Sequence, residues 1–578
     1  DRVEGGIGFL GGDLAGWAAR RGVDFEELWP HAAGDDRSLW NARIFPAGSA
    51  RQVIELLPWL LGGEDEARAG RERWRALPRV SMDDVRGNFD LRRWRRYEQT
   101  LREDVVARNL AARLLEGGDL QFWLEQASAT RNISGVAQGV RQLARRERAP
   151  LVAARLWQLS AQLGRTDAGA GGPVVEGDNG AARDQQRAFR SIQTAVGLLS
   201  SRRAGSGAWR EPAGTAIKVT APVRIDLAGG WTDTPPQAIE RGGTVLNLAI
   251  TLDGVLPVQA RVTVLDAPRI ELAAQDHRME LTLTDAESLC EYSELSSAFA
   301  LHKAAICELG LVPNRGDDLE SYLQGRGGGF RLETSARVPM GSGLGTSSIL
   351  GAAVLAALGG LVGPELDLRR LSRQVLQLEQ RLTSGGGWQD QVGALTGGFK
   401  VARTPPGRDQ TPTVEQLAVP PDVVREFEER LVVYFTGLPR LARNVLQRVV
   451  ARYLLRDPAV EAALAEMPDL VERLRLALLG GRLDEVGECL SRSWHLNQQI
   501  EPTASNPAVE RLFEAVKPYA AGAKLAGAGG GGFIIVLARE PRLAEKIRAT
   551  IREAGGAPDG EYQARVSTEG ISTRKGAA

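Results

Sequence analysis

The sequence is poor in the residue types that mark several common function classes. It holds three cysteines, Cys290, Cys307 and Cys489, in 578 residues. They are too few and too irregular in spacing for a disulfide framework or a thiolate zinc site, and they suit a reducing cytoplasm. The four histidines, His31, His277, His302 and His495, are scattered, which argues against an imidazole metal cage. Lysine is scarce: seven stand against 65 arginines, a bias that reads as coding preference rather than mechanism. Neither sign of charge dominates, since Lys+Arg and Asp+Glu are both 72. Without a global basic field, neither nucleic acid nor an anionic membrane is an expected partner. No apolar run reaches the roughly 20 residues of a membrane span. One stretch, between Arg337 and Glu365, carries no charge, but its first half is Gly, Ser and Thr, and its apolar part, 349–362, fits a buried core helix. No basic segment followed by an apolar one marks a signal peptide. The chain opens at Asp1, so it is expected to be a fragment of a longer protein.

What is present is globular. Hydrophobic residues make 43% and charged residues 25% of the chain, which excludes a disordered tail, a collagen or a coiled-coil rod. At roughly 150 residues per unit, three or four structural units are expected. Eight of the twelve tryptophans precede residue 201. Residues 1–95 are rich in Trp, Arg and short turns, and their pattern leaves the fold open. Residues 96–165 read as helical, with Leu101, Val105, Leu110, Leu114 and Leu115 at helical spacing and a second run over 136–163. The Gly- and acid-rich 167–184 reads as a loop, followed by a helix over about 185–202 and a breaker-rich segment that puts a boundary near 212. Beyond it, 217–227, 244–252 and 258–265 read as strands, 330–338 alternates up to Pro339, and 365–383 is an amphipathic helix. Strands at 431–435 and 532–537 complete an α+β body from 213 to the end.

Four segments carry chemistry. In 339–348 (PMGSGLGTSS) a strand gives way to three alternating glycines, two hydroxyl residues and an apolar helix. Glycines let backbone N–H groups approach an anion, Thr346 or Ser347 is placed to cap the helix, and the helix N-terminus adds partial positive charge. This is a phosphate cradle without the Gly-Lys-Ser/Thr ending of a Walker A loop. In 221–233 (APVRIDLAGGWTD) a strand puts Arg224 and Asp226 on one face, and a Gly-Gly turn presents Trp231 and Asp233. Carboxylates beside an aromatic ring suit a sugar. Glu379 and Asp390 are separated by a glycine hinge and can converge on one cavity, one near Mg²⁺ and the other beside a hydroxyl. In 524–533 (KLAGAGGGGF) five of the six residues 527–532 are glycine and run straight into an apolar strand. Each segment alone has a plain structural alternative: a turn, a surface ion pair, a solvated helix residue or a linker.

Taken in order, these segments resemble the three motifs of the GHMP small-molecule kinases. The likeness tightens to L-fucokinases, including the kinase half of bifunctional fucokinase/fucose-1-phosphate guanylyltransferases. It is carried by RIDLAGGWTDTPP (224–236), GGTVLNLAI (242–250), HKAAI (302–306), GSGLGTSSIL (341–350), LEQRLTSGGGWQDQVG (378–393), TGLPRLARNVL (436–446) and SNPAVE (505–510). It covers about 215–578; LWNARIFP, further upstream, is similar to the segment joining the two halves of such proteins.

The resemblance implies a two-lobe α+β fold: a ribosomal protein S5 domain 2-like lobe over 213–405 and a ferredoxin-like lobe over 406–578. Ahead of them stand a helical linker or scaffold, 96–212, and a connecting region, 1–95. It implies ATP-dependent phosphorylation of the anomeric hydroxyl of L-fucose, in GDP-fucose salvage. Pro339, Gly341, Ser342, Gly343, Leu344, Gly345, Thr346, Ser347 and Ser348 would wrap ATP. Ser347 and Glu379 would support Mg²⁺. Asp390 would be the base or orienting carboxylate, with Arg224 beside it. Asp233, Trp231, Asp226, Gly529 and Gly530 would shape the sugar site, and His302 and Lys303 would line the active site. Relative to galactokinases, Gly230 stands in place of a sugar-binding glutamate and Trp231 in place of a histidine, which argues against galactose. The alternatives are another sugar kinase of the superfamily, such as a heptose kinase, and a non-catalytic sugar-binding scaffold. Residues 1–210 lack a GxGTRxxP-type nucleotidyltransferase signature, so they are expected to act in scaffolding or self-association, with any guanylyltransferase domain upstream of Asp1.

Overall fold

The computed structural model describes residues 8–9, 12–30, 37–61, 67–88, 91–117, 120–128, 132–169, 179–196, 207–292, 297–313, 317–339, 341–363, 367–382, 386–438 and 442–577. Two compact units are present, Asp1–Arg102 and Glu103–Ala578.

The first unit explains the crowd of tryptophans. Its short helices and two two-stranded sheets enclose Trp17, Trp59 and Trp74 together with Leu14, Leu28 and Ile44. The indole N–H of Trp74 donates to Ile44 O at 2.7 Å, and that of Trp17 to Leu60 O at 3.1 Å. Large rings whose one polar atom finds a backbone acceptor can be buried at little cost, so a small unit gains a core from few residues.

The second unit begins with helices. Of the apolar positions expected to form one face over 101–115, Leu110 and Leu114 are buried, whereas Leu101, Val105 and Leu115 are exposed. Ala107 and Ala111 complete the buried stripe instead. The run 136–163 is two helices, Ile133–Arg146 and Pro150–Gly169, because the residue before a proline disfavours helical backbone. The next helix is Asn179–Val196, earlier than expected. Of the loop anticipated over 167–184, both flanks are helical and 170–178 lies outside the described residues. These helices share a core with later elements through Ile239, Leu376, Val450 and Leu454. Buried Arg155 donates to Tyr453 O, Leu454 O and Glu240 Oε2 at 3.2, 2.9 and 2.7 Å.

The remainder is the expected α+β body. Pro222 has no N–H to give to a ladder, so 217–227 splits into strands Thr215–Ala221 and Val223–Ala228. A six-stranded sheet runs Met279–Leu283, Ile270–Ala274, Gly329–Ala336, Val258–Leu265, Thr215–Ala221, Ser572–Ala577. In a second sheet Gly243–Leu252 pairs with Phe399–Thr404 and with Val223–Ala228. A four-stranded antiparallel sheet contains Leu431–Phe435, Ala520–Leu525, Phe533–Ala538 and Glu561–Tyr562; in chain order the spatial order is 2-3-1-4. Helices follow its first and third strands, which is the ferredoxin-like βαββαβ arrangement. The helix Thr346–Val362 is buried nearly all round, as its uncharged sequence requires. Among the described residues no helix is long and apolar enough to cross a membrane.

Candidate active site

The strand Val223–Ala228 is buried along its whole length, yet it carries two charges. Burial of that kind needs partners, and the structure supplies them from three distant segments. Arg224 donates from Nη1 to Gly343 O at 2.9 Å, and from Nε and Nη2 to Asp390 Oδ1 at 3.1 and 2.5 Å. Burial alone would lower its guanidinium, but the carboxylates of Asp390, Asp226 and Asp233 outweigh burial and hold it above its ordinary value. Asp226 accepts from Lys524 Nζ at 3.2 Å, and Lys524 also donates to Ser493 Oγ at 3.1 Å. Burial depresses the Lys524 ammonium, against the pull of Asp226. The first and third glycine motifs are therefore joined by an ion pair with almost no solvent exposure.

Asp233 is fully buried; its Oδ2 accepts the Gln389 N–H at 2.9 Å, and its Oδ1 has no partner. Burial, with Asp390 and Asp226 nearby, pushes its carboxyl up to about 7, despite the Gln389 N–H. The close fit depends on Gly387, where a β-carbon would lie 1.9 Å from Asp233 Oδ2.

The loop 341–348 closes over this cluster. Gly345 has φ +76°, and a β-carbon on it would lie 3.1 Å from Asp390 Cβ and 3.3 Å from Arg224 Cγ. Gly345 is the N-cap of the Thr346–Val362 helix, with no side-chain cap. The expectation that Thr346 or Ser347 caps it is thus corrected: Thr346 instead shares a hydrogen bond with Ser342 at 3.1 Å. A helix start without a capping side chain keeps its N–H groups for an anion. Ser342 O accepts from Phe533 N at 3.1 Å, so the third glycine motif abuts the loop 341–348.

Glu379, 7% exposed, accepts from Ser348 Oγ at 2.9 Å, while Ser347 is exposed one residue earlier. Glu379 and Asp390 thus approach the same first turn, at 348 and 345. Pro339 is half-buried ahead of the loop, and Leu344 is buried in the core. Trp231 has φ +75°, and it is buried in the main hydrophobic core. Gly530 bonds to Ala504 O, and Gly529 lies against Ala504 and Trp494; among the described residues no hydrogen bond ties either to Asp226, Asp233 or Asp390. His302 is buried and hydrogen-bonded to Thr334 at 3.0 Å, and burial pushes it down to about 4, so it is neutral. Met340, Ser384 and Gly385 lie outside the described residues. No group of three or more His, Cys, Asp or Glu forms a metal cage among the described residues.

Sequence reasoning passed over Asn247, Gln389, Lys400, Ser493 and the part Lys524 plays. Lysine scarcity was a usable signal: Lys400 and Lys524 are wholly buried in a chain that uses arginine almost everywhere else.

Comparison with known proteins finds relatives for both lobes. Residues 316–398 match the GHMP kinases N terminal domain and residues 470–557 the GHMP kinases C terminal. The chain carries both domains of the GHMP kinases. A bifunctional fucokinase/GDP-fucose pyrophosphorylase of Arabidopsis thaliana is 32% identical over 92% of this chain and 51% of its own length. An L-fucokinase/L-fucose-1-P guanylyltransferase of Bacteroides fragilis is 30% identical over 94% of this chain and 56% of its own. A D-glycero-alpha-D-manno-heptose 7-phosphate kinase of Campylobacter jejuni is 27% identical over 59% of this chain and 95% of its own. The chain thus spans about half the length of the fucokinase relatives. Its likeness to them takes in the residues ahead of the GHMP kinase lobes, which the shorter match to the heptose kinase cannot do in full.

Proposed function

We propose that this GHMP kinase transfers the γ-phosphoryl group of ATP to the anomeric hydroxyl of L-fucose. The observation that carries the reading is the double engagement of Arg224, which binds the phosphate loop at Gly343 O and the carboxylate of Asp390 at once. Phosphoryl transfer depends on charge neutralisation and in-line placement more than on covalent help. N–H groups of the loop 341–348 and the uncapped start of the Thr346–Val362 helix bind the phosphates. Arg224 holds positive charge beside the transferred group. Asp390 Oδ1 is taken by Arg224, so Oδ2 receives the hydrogen bond, and then the proton, of the acceptor hydroxyl. Asp233 and Asp226 each bury an oxygen without a protein partner, and these suit sugar hydroxyls.

Glu379 with the adjacent hydroxyls of Ser347 and Ser348 offers hard oxygen donors of the kind Mg²⁺ takes. Bound there with the nucleotide, the ion would neutralise phosphate charge. ATP and the sugar are the partners the site supports. Residues 103–196 act as a scaffold against the kinase lobes. An upstream guanylyltransferase domain fits the relatives' names, and self-association is the alternative role for residues 1–210.

The fucose reading is favoured over a heptose phosphate by the extent of the match. A coupled ADP-release panel over L-fucose, D-arabinose, galactose and a heptose phosphate, with and without Mg²⁺, tests it. The highest kcat/KM is expected for L-fucose, with Mg²⁺ required. A heptose phosphate in first place would overturn the assignment, and no ADP release with any sugar would favour a binding scaffold.

A further inference from the structure

The helix Gln389–Leu395 has seven residues and carries Asp390. A helix that short is not stable by itself and takes its position from what holds its ends. Its last-turn carbonyls are the acceptors a C-terminus leaves over. Two of them, Gly393 O and Thr396 O, each receive a hydrogen bond from Lys400 Nζ at 2.6 Å. At the other end, Gln389 O accepts from Asn247 Nδ2 at 3.0 Å. Lys400 and Asn247 are cross-strand partners in the register of Phe399–Thr404 with Gly243–Leu252, and both are fully buried. One rung of a rigid sheet therefore grips the short helix at both ends. Between the grips the helix meets Arg224: a β-carbon at Gly393 would lie 2.8 Å from Arg224 Cβ. A displacement of the helix thus disturbs the pairing of Asp390 with Arg224, which is held on its own strand.

Lys400 forms no ion pair with a carboxylate among the described residues, and burial pushes its ammonium down to about 7. An apolar side chain of similar length would spare the burial of an ammonium but would leave Gly393 O and Thr396 O without this donor.

We infer that Lys400 and Asn247 are positioning residues for turnover, setting the helix that aims Asp390. The inference rests on the reading of Asp390 as the carboxylate facing the acceptor hydroxyl.

The test makes Lys400→Met and Asn247→Ala in the full chain, each alone and combined with Asp390→Asn. It measures kcat and KM by ADP release, single-turnover rates for the slow variants, and ATP affinity by calorimetry. Each single variant is expected to lower kcat by about 10- to 100-fold, the scale of a misplacement near 1 Å, with ATP affinity kept. In the Asp390→Asn background the same changes should move turnover by no more than about twofold, since residues acting through one another are not additive. Unchanged kcat, or full multiplication of the losses, overturns the inference. Near-normal turnover of Asp390→Asn alone would instead refute the role of Asp390. Should Lys400→Met fail to fold, Asn247→Ala decides at the other end of the helix.

Discussion

Arg224 gives two N–H groups to one carboxylate oxygen of Asp390, at 3.1 and 2.5 Å, and a third to Gly343 O at 2.9 Å. The second oxygen of Asp390 takes no hydrogen bond among the described residues. The side chain is 29% exposed, whereas that of Arg224 is 3% exposed. The guanidinium thus faces the protein, and the carboxylate faces the side from which a hydroxyl arrives.

Asp390→Asn keeps the shape of the side chain and one oxygen for Arg224, but removes the proton acceptor. Turnover with L-fucose is expected to fall about 10²- to 10⁴-fold, while calorimetric ATP affinity stays near that of the parent. Near-normal ADP release would remove Asp390 from the reaction.

Asp233, with its carboxyl raised to about 7 by burial, makes a signed prediction for pH. An unfolded aspartate titrates near 3.9. Between about 4 and about 7 the folded chain therefore holds a proton at Asp233 that the unfolded chain has lost. Stability from this group is full below that window and is lost as pH rises through it, by at most about 1.4 kcal/mol per pH unit. Asp233→Asn removes the slope, so the parent-minus-variant difference in Tm should be larger at pH 5 than at pH 7.5. A difference independent of pH would show that Asp233 is not held protonated. The same variant should raise the sugar KM far more than it weakens ATP binding.

Lys524 and Asp226 join two lobes through a pair that water barely reaches. Lys524→Met leaves Asp226 charged and buried, at a cost of about 3–5 kcal/mol. Adding Asp226→Asn should recover much of that loss, giving strong coupling in a urea-denaturation double-mutant cycle. Additive losses would mean that the pair contributes no mutual stabilisation.

Two local rules were readable in the sequence and then lost to context. The strand rule marked 217–227 as one element, and Pro222 cut it in two. The capping rule put a hydroxyl at the start of the Thr346–Val362 helix. Gly345 takes that place, because its left-handed backbone and missing β-carbon let Asp390 and Arg224 come close. Trp231 combines a left-handed backbone, φ +75°, with a place in the main hydrophobic core, and a local pattern shows neither. Pro222 lies in plain sight within its segment, whereas the fit at Gly345 depends on Arg224, more than a hundred residues away, and on a backbone angle, neither of which a local pattern shows.

By itself the sequence determined the chemistry available: three glycine-rich segments in a set order, an arginine and an aspartate two apart on a strand, and two carboxylates across a glycine hinge. Period-two and period-3.6 patterns also determined most strands and helices, because side-chain direction follows from local backbone geometry. Only the tertiary structure decided that Arg224 spans Gly343 and Asp390, that Lys524 neutralises Asp226, that Ser348 bonds Glu379, and that Lys400 grips the Gln389–Leu395 helix. Those are pairings of buried polar groups. Which partner each one finds is set by the packing of sheets and helices distant in the chain, since a buried charge is tolerated only where the whole fold brings its counterpart into reach.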